Sequence, residues 1–319
     1  MIDPDELGSA PPRDCTVLSI AVVEGSIWAA TDAGLWQRCE DRWRQRPAPP
    51  ATPVVSVIAR AGAAGDPGGA LLAAGLAGGI QYSADGGERW YGAWVDEVTS
   101  SVTCFAPSPR FALDRVVLAG TEADGVLRST DGGRRWRLAN FGLTGYTILA
   151  IAVAPEWGRR EEVFAATDEG IYHSPNGGRA WQRADMGFEA VAQALALSPR
   201  FAVDRTLYAG GEEDGLYRST DAGRSWHLWS PELRNANCLW LAPDDPQLLV
   251  AGSGDGAILR SADGGVGWEC GWRGTDAVLV LAESGGTFYA GLYQGGLLVS
   301  LDRGRTWYGR EPRTTEPQN

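Results

Sequence analysis

Lysine is missing from this chain: all 28 basic residues are arginine, set against 40 carboxylates for a net charge of -12. Arginine codon usage in a GC-rich genome accounts for the missing lysine. The acidic balance favours solubility and disfavours a general nucleic-acid binder, whose affinity rests on neutralising phosphates. Histidine is nearly absent as well, with only His173 and His227. The five cysteines (Cys15, Cys39, Cys104, Cys238, Cys270) form no C-x-x-C pair. That argues against a disulfide framework or a zinc site and suits a reducing compartment, with the thiols acting as small apolar fillers. No apolar run is long enough to span a membrane. The start, Met1-Ile-Asp-Pro-Asp-Glu6, lacks the basic and apolar regions of a secretory signal. The expectation is a cytoplasmic protein with no membrane contact.

Glycine and tryptophan, by contrast, are abundant, at 43 and 14 residues. Many glycines mark tight turns, and large rings give turn-rich strands something to pack on. The two are joined in one phrase that occurs six times: Ser83-Ala-Asp85-Gly-Gly-Glu-Arg-Trp90, Ser129-Thr-Asp131-Gly-Gly-Arg-Arg-Trp136, Ser174-Pro-Asn176-Gly-Gly-Arg-Ala-Trp181, Ser219-Thr-Asp221-Ala-Gly-Arg-Ser-Trp226, Ser261-Ala-Asp263-Gly-Gly-Val-Gly-Trp268 and Ser300-Leu-Asp302-Arg-Gly-Arg-Thr-Trp307. Recurrence every 39 to 46 residues signals an array of equal units. Upstream of each phrase lie three short runs rich in β-formers and bounded by Gly, Pro or Asp, such as Val102–Pro107, Val116–Gly120 and Val126–Ser129. No long window keeps a helical period.

A seventh unit precedes the six. It runs from Val17 to Trp43 and ends in an eroded phrase, Cys39-Glu-Asp41-Arg-Trp43. The sequence therefore predicts an all-β fold: a single seven-bladed β-propeller of four-stranded antiparallel blades over 16–308, with short tails at 1–15 and 309–319. An open solenoid would need polar caps, and none appear. The first unit begins on an inner strand and the last ends on an outer one, so closure is expected without strand exchange.

The phrase resembles the Asp-box, or bacterial neuraminidase repeat, of sialidases, sortilin-type receptors, xyloglucan-degrading propellers and a photosystem II assembly factor family. The resemblance covers Thr16 to Tyr308 and places the phrase between the third and fourth strands. Its residues (Asp85, Trp90, Asp131, Trp136, Asn176, Trp181, Asp221, Trp226, Asp263, Trp268, Asp302 and Trp307) are read as structural. A short carboxylate or amide bonds turn amides, the Gly pair tolerates positive φ, and the ring covers the sheet end. Asn176 fits, because an amide keeps the bonding without the charge. Ala222 and Arg303 replace the first Gly, so strain or a different shape is expected there.

Topology then sorts the charges. Turns between strands two and three open on one face together with the links between blades. The other turns open on the opposite face. The first face collects Asp32, Glu122, Asp124, Asp168, Glu169, Glu212, Glu213, Asp214 and Asp255 from the turns. Its links add Trp94, Phe141, Tyr146, Phe188, Trp229 and Trp272. An acidic rim with exposed aromatics is the candidate face for a partner protein with a basic surface, or for a sugar. The opposite face gathers Arg110, Arg115, Arg159, Arg160, Arg200 and Arg205, with the phrase arginines Arg89, Arg134, Arg135, Arg179, Arg224 and Arg305. Two near-copied loops there, Ser108–Arg115 and Ser198–Arg205, suggest a local Arg–Asp pair over a Phe plug.

No nucleophile elbow, P-loop or H-E-x-x-H is present, and Asp-x-Gly-Gly lacks the ligand spacing of a calcium loop. The inner strands lack the arginines a sialidase needs, and His173 and His227 fall on strands rather than in a shared pocket. No catalytic residue, cofactor or metal is assigned. The reading is a non-enzymatic protein-binding scaffold or assembly subunit. The alternative is a glycoside hydrolase or carbohydrate-binding propeller with paired carboxylates on the acidic face.

Overall fold

Each unit forms an antiparallel sheet whose strands follow chain order from the centre of the molecule outward. In the computed structural model, which describes residues 14–23, 26–39, 42–47, 54–60, 70–75, 79–96, 100–184 and 191–309, seven such sheets make a β-propeller. Blade three shows the plan. Val102–Pro107 pairs with Val117–Thr121, that strand with Val126–Ser129, and that in turn with Arg135–Leu138. The second strands are buried along their length, as in Val117–Thr121 and Val163–Thr167, because they lie between two blades. Runs such as Val-Phe-Ala-Ala-Thr meet that demand with small and β-branched side chains.

All seven inner strands carry a bulge at their second residue, for example between Val102 and Cys104 and between Ala236 and Cys238. The extra residue turns the strand at the mouth of the central channel. At two blades its side chain stitches the ring: Thr103 Oγ1 donates to the Ile148 carbonyl at 2.7 Å and Asn237 Nδ2 to that of Val278 at 3.2 Å. The inner strand of blade two, Val54–Arg60, ends in an arginine, against the expectation that the inner strands carry none.

The ring closes by packing. Blade seven has three strands, Val278–Ser284, Thr287–Leu292 and Leu297–Ser300, plus a single bridge from Val299 to Tyr308. Its Tyr289 and Val299 share a core with Cys15, Val17, Ile27 and Trp43 of blade one, and Arg38 donates to the Tyr289 hydroxyl at 2.6 Å. Gly296 N–H donates to the Cys15 carbonyl at 2.9 Å. No strand is exchanged among the described residues, and the Tyr308 bridge stays within its own blade instead of crossing the seam.

Five of the six phrases occupy the turn from third to fourth strand, the sixth joins the third strand of blade seven to the Tyr308 bridge, and all share one geometry. In blade three, Ser129 Oγ donates to Asp131 Oδ1 at 2.9 Å and accepts from Gly133 N–H at 2.9 Å. Asp131 Oδ1 also accepts from the Arg134 and Arg135 amides at 3.1 and 2.9 Å. Asn176 repeats the pattern through its amide oxygen. Ala222 and Arg303 keep the same turn shape and adopt φ of 65° and 61°, so of the two expected outcomes strain is the one observed. The eroded phrase at 40–41 lies outside the described residues.

The tryptophan rings do more than cover sheet ends. Trp136 is fully buried between blades two and three, beside Leu72, Ala74 and Phe111. The second glycine of each phrase faces the preceding blade at close range. A Cβ on Gly178 would stand 2.8 Å from Leu118 Cδ2, on Gly223 3.0 Å from Phe164, and on Gly304 3.2 Å from Val250. The phrase is therefore the seam between blades as well as a turn.

The cysteines are free among the described residues. Burial pushes the Cys15 thiol up to about 11, helped by the nearby Asp32 charge, and burial pushes Cys238 up to about 12 and raises Cys104. Thiolate is the reactive form. With a disulfide reagent on the native chain, the exposed Cys270 is expected to react, while Cys15, Cys104 and Cys238 react only after unfolding. Peptide mapping of the label checks this.

Candidate binding faces

Antiparallel pairing sends the second-to-third turns to one face and the first-to-second and third-to-fourth turns to the other. On the first face, Asp32, Glu122, Asp168, Glu169, Glu212, Glu213, Asp214 and Asp255 are exposed and Asp124 is half-buried. Several of them brace their own turns. Asp32 accepts from Thr16 N–H at 3.0 Å, and Asp124 accepts from the Ser100 amide and hydroxyl at 2.8 and 2.5 Å. Asp255 accepts from Ser253 and pairs with Arg273 at 3.4 Å, and these bonds hold its carboxyl below the usual range. Glu169 accepts from the Thr144 hydroxyl at 2.6 Å. Glu122, Asp168, Glu212 and Glu213 have no ion pair or side-chain hydrogen bond among the described residues. They come from three consecutive blades. Tyr146 lies with them, 46% exposed, its carbonyl accepting from Gly125 N–H in the blade-three turn.

The other aromatics do not join this face. Residues Trp94–Val95 pair in parallel with the outer strand of blade three, and Trp94 N–H donates to the Arg134 carbonyl at 2.9 Å. That puts Trp94 on the perimeter beside a phrase. Phe141 is at the perimeter too, where its carbonyl accepts from Trp181 N–H at 2.8 Å. The Trp229 ring lies 4.4 Å from the Arg218 guanidinium, and its indole donates to the Gly264 carbonyl at 2.8 Å. Trp272 packs half-buried against the core between blades six and seven. Phe188 lies outside the described residues. Each link starts from an outer strand, where the nearest backbone partners belong to the next blade. Trp229 and Trp272 turn part of their rings towards a seam, whereas Trp94 and Phe141 stay 54% and 80% exposed on the perimeter.

On the opposite face, Phe111 and Phe201 are the expected buried plugs. The carboxylates beside them serve a different purpose from the one read in the sequence. Asp114 accepts from Ser108 Oγ at 2.7 Å and Val116 N–H at 3.0 Å, and Asp204 accepts from Ser198 Oγ at 2.6 Å and Thr206 N–H at 2.9 Å. Arg115 and Arg205 instead lie over the Phe rings, at 5.9 and 4.5 Å.

Sequence reasoning missed a cleft of about 690 Å³ between blades four and five on this face. Its lining includes Arg159, Arg160, Arg179, Arg205, Arg224 and His173. Glu162, 5% exposed, accepts from Arg205 Nη2 at 2.7 Å and lies 3.8 Å from Arg160. His173 stacks on Phe164 at 4.7 Å, and its Nε2 lies 3.4 Å from Glu162 without hydrogen-bond geometry. Burial holds His173 below its ordinary range despite the Glu162 charge. The strand position assigned to His173 is right, but the residue also lines a pocket. The available signal was local: His173 and Glu162 stand where the sibling blades have other residue types.

The architecture defines a seven-bladed β-propeller. No family model matches this sequence, and no curated protein does. Among solved structures the chain is similar to YCF48 bound to D1 peptide, at 18% identity and TM-score 0.70, over 92% of this chain and 95% of that one. It is similar to YCF48 from Cyanidioschyzon merolae at 12% identity and TM-score 0.63, over 92% and 97%. The GH74 xyloglucanase from Xanthomonas campestris aligns at 16% identity and TM-score 0.73, over 95% of this chain but only 56% of the enzyme. The chain thus spans about half of that enzyme. At these identities the likeness is one of fold. Among the described residues no helix is long and apolar enough to cross a membrane.

Proposed function

We propose that this propeller is a non-catalytic platform that holds a protein partner through a basic segment laid on the acidic turns of blades three to five, with the repeated phrases serving as structural Asp-boxes. The carrying observation is the run of exposed, unpaired carboxylates Glu122, Asp168, Glu212 and Glu213 on three successive blades, with Glu169 and Tyr146 among them. Carboxylates without cations on a rigid disc steer and orient a positive partner at little reorganisation cost. YCF48, a propeller of the same span, was solved with a peptide bound, which supports protein binding as a use of this architecture.

The test is affinity capture from the native host, comparing the wild-type chain with a Glu122→Gln, Asp168→Asn, Glu212→Gln, Glu213→Gln variant. The wild type is expected to recover a protein in near-equal amount, and recovery by the variant is expected to fall about tenfold or more, with a strong salt dependence. Undiminished capture by the variant refutes the assignment to this face. Release of sugar from a glycan panel by the purified chain would instead favour a carbohydrate-active propeller.

A further inference from the structure

The cleft between blades four and five falls where the arginine bridge of two sibling seams is missing. In blades three and six the third strand ends Arg-Ser, and the arginine bridges to the next blade. Arg128 Nε donates to the Gly177 carbonyl at 2.9 Å, and Arg260 Nε to the Arg303 carbonyl at 3.1 Å. Both acceptors occupy the first-glycine position of the neighbouring phrase. Between blades five and six, Trp229 reaches the same position, Gly264, with Arg218 stacked on its ring. Arg46 makes the corresponding bond to Gly86 at 3.3 Å between blades one and two. Blade four places His173 at the arginine's position, and its acceptor-side counterpart is Ala222. The imidazole stacks on Phe164 and makes no such bridge, and the seam stays open.

The open seam is lined for an anion. Glu162 takes the place of Val116, Thr206 and Leu248 in the sibling blades, all of them buried. It does not leave the cleft acidic, because it holds Arg205, itself stacked on Phe201. Glu161 holds Arg179 at 2.7 Å, and Arg179 also donates to the Asn176 carbonyl at 2.6 Å. Two guanidiniums are thereby fixed in place. Arg159 and Arg224 line the same cleft with no ion pair or side-chain hydrogen bond among the described residues. Five guanidiniums facing two carboxylates leave a surplus of positive charge, and His173 Nε2 is buried without a hydrogen-bond partner. Guanidinium forks match the oxygens of phosphate groups and bind them bidentately. The volume suits a small molecule.

We infer that this cleft binds a small organic phosphate, gripped by Arg159 and Arg224 and positioned against Arg179 and Arg205. It is separate from the acidic face and independent of the partner assigned there. The probe is inorganic pyrophosphate, titrated calorimetrically into the full-length chain at low salt. The control is an Arg89→Ala, Arg305→Ala variant, which removes two exposed phrase arginines outside the cleft. Arg159→Ala with Arg224→Ala is expected to weaken binding at least about tenfold, and the control less than about twofold. His173→Arg is the decisive variant. It adds a positive charge yet supplies the arginine that closes the sibling seams, so it is expected to weaken binding while keeping the melting temperature at or above that of wild type. Three results would overturn the inference: no heat from pyrophosphate, equal losses in the two double variants, or tighter binding by His173→Arg. The last two would mean a diffuse basic surface, such as one that docks an acidic protein.

Discussion

Gly133→Ala is expected to destabilise the chain by about 3–4 kcal/mol, while Gly132→Ala, one residue away in the same turn, costs about 1 kcal/mol. Both glycines have positive φ, 79° at Gly132 and 90° at Gly133, so both substitutions carry the backbone penalty of a left-handed residue. They differ in what the new methyl meets. At Gly132 the nearest atom is Phe111 Cζ at 3.8 Å, an ordinary contact. At Gly133 it would overlap the Leu72 side chain of the preceding blade, with Cγ at 3.2 Å, and Leu72 is 1% exposed with nowhere to retreat. Relief requires blades two and three to part, which also loosens the fully buried Trp136. The chain contains its own control, since Ala222 and Arg303 occupy the first position in two phrases and no residue but glycine occupies the second. Urea titration of the two variants measures the difference. Equal losses would mean that the second glycine serves the turn alone.

That contrast marks how far the sequence could be read. Repeat spacing, the Gly–Trp phrase and short β-rich runs were enough to place seven blades, and the inner strand Val102–Pro107 of blade three is found as read. Those features are local, and each is stated seven or six times over. What lies across a seam is stated once and in pieces. Leu72 and Gly133, or His173 and Ala222, become neighbours only when the ring closes, and no single unit shows it. Trp94, Phe141 and Trp229 are exposed as a link's polar, irregular sequence suggests, but which face they lie on is not written in any one unit. In space, Trp94 and Phe141 take backbone partners from the next blade, while Trp229 and Trp272 belong to their own blades' outer strands and reach across a seam with their rings.

The cleft teaches the same point from the opposite side. A repeat alignment treats His173 as one more strand residue, yet its meaning lies in the bond it does not make. Arg128 and Arg260 show one way in which a seam is bridged, and blade four has no counterpart. Irregularities within a repeat array are therefore where individual function is to be sought, since the regular positions are already engaged in holding blades together. The acidic turns follow this logic too. Asp32, Asp124 and Asp255 recur near one turn position and brace it, whereas Glu122, Asp168, Glu212 and Glu213 brace nothing.

Asp221→Ala is expected to cost about 2 kcal/mol at neutral pH, and Asp221→Asn less than about 1 kcal/mol. The carboxylate accepts from Ser219 Oγ at 2.8 Å, from the Arg224 and Ser225 amides at 3.0 and 2.9 Å, and from Ser225 Oγ at 2.6 Å. Alanine strands all four donors, although the two amides are exposed and recover water. Asparagine keeps the Oδ1 bonds, as Asn176 does in blade four. The two substitutions separate further in acid. Partial desolvation pushes the Asp221 carboxyl up, but the bonds from Ser225, Ser219 and Arg224 outweigh it and hold the group down to about 2. Because the folded value lies below the unfolded one, this contribution is fully present above about pH 4 and is lost as pH falls towards 2. Solvent screening at so exposed a group limits the pH-linked part to roughly 1 kcal/mol. The Asn variant has no such proton to bind. Its stability deficit relative to wild type is therefore expected to shrink between pH 4 and pH 2, as read from melting temperatures across that window. A deficit that stays constant would assign the turn's stability to the Ser219 and backbone bonds and not to the charge.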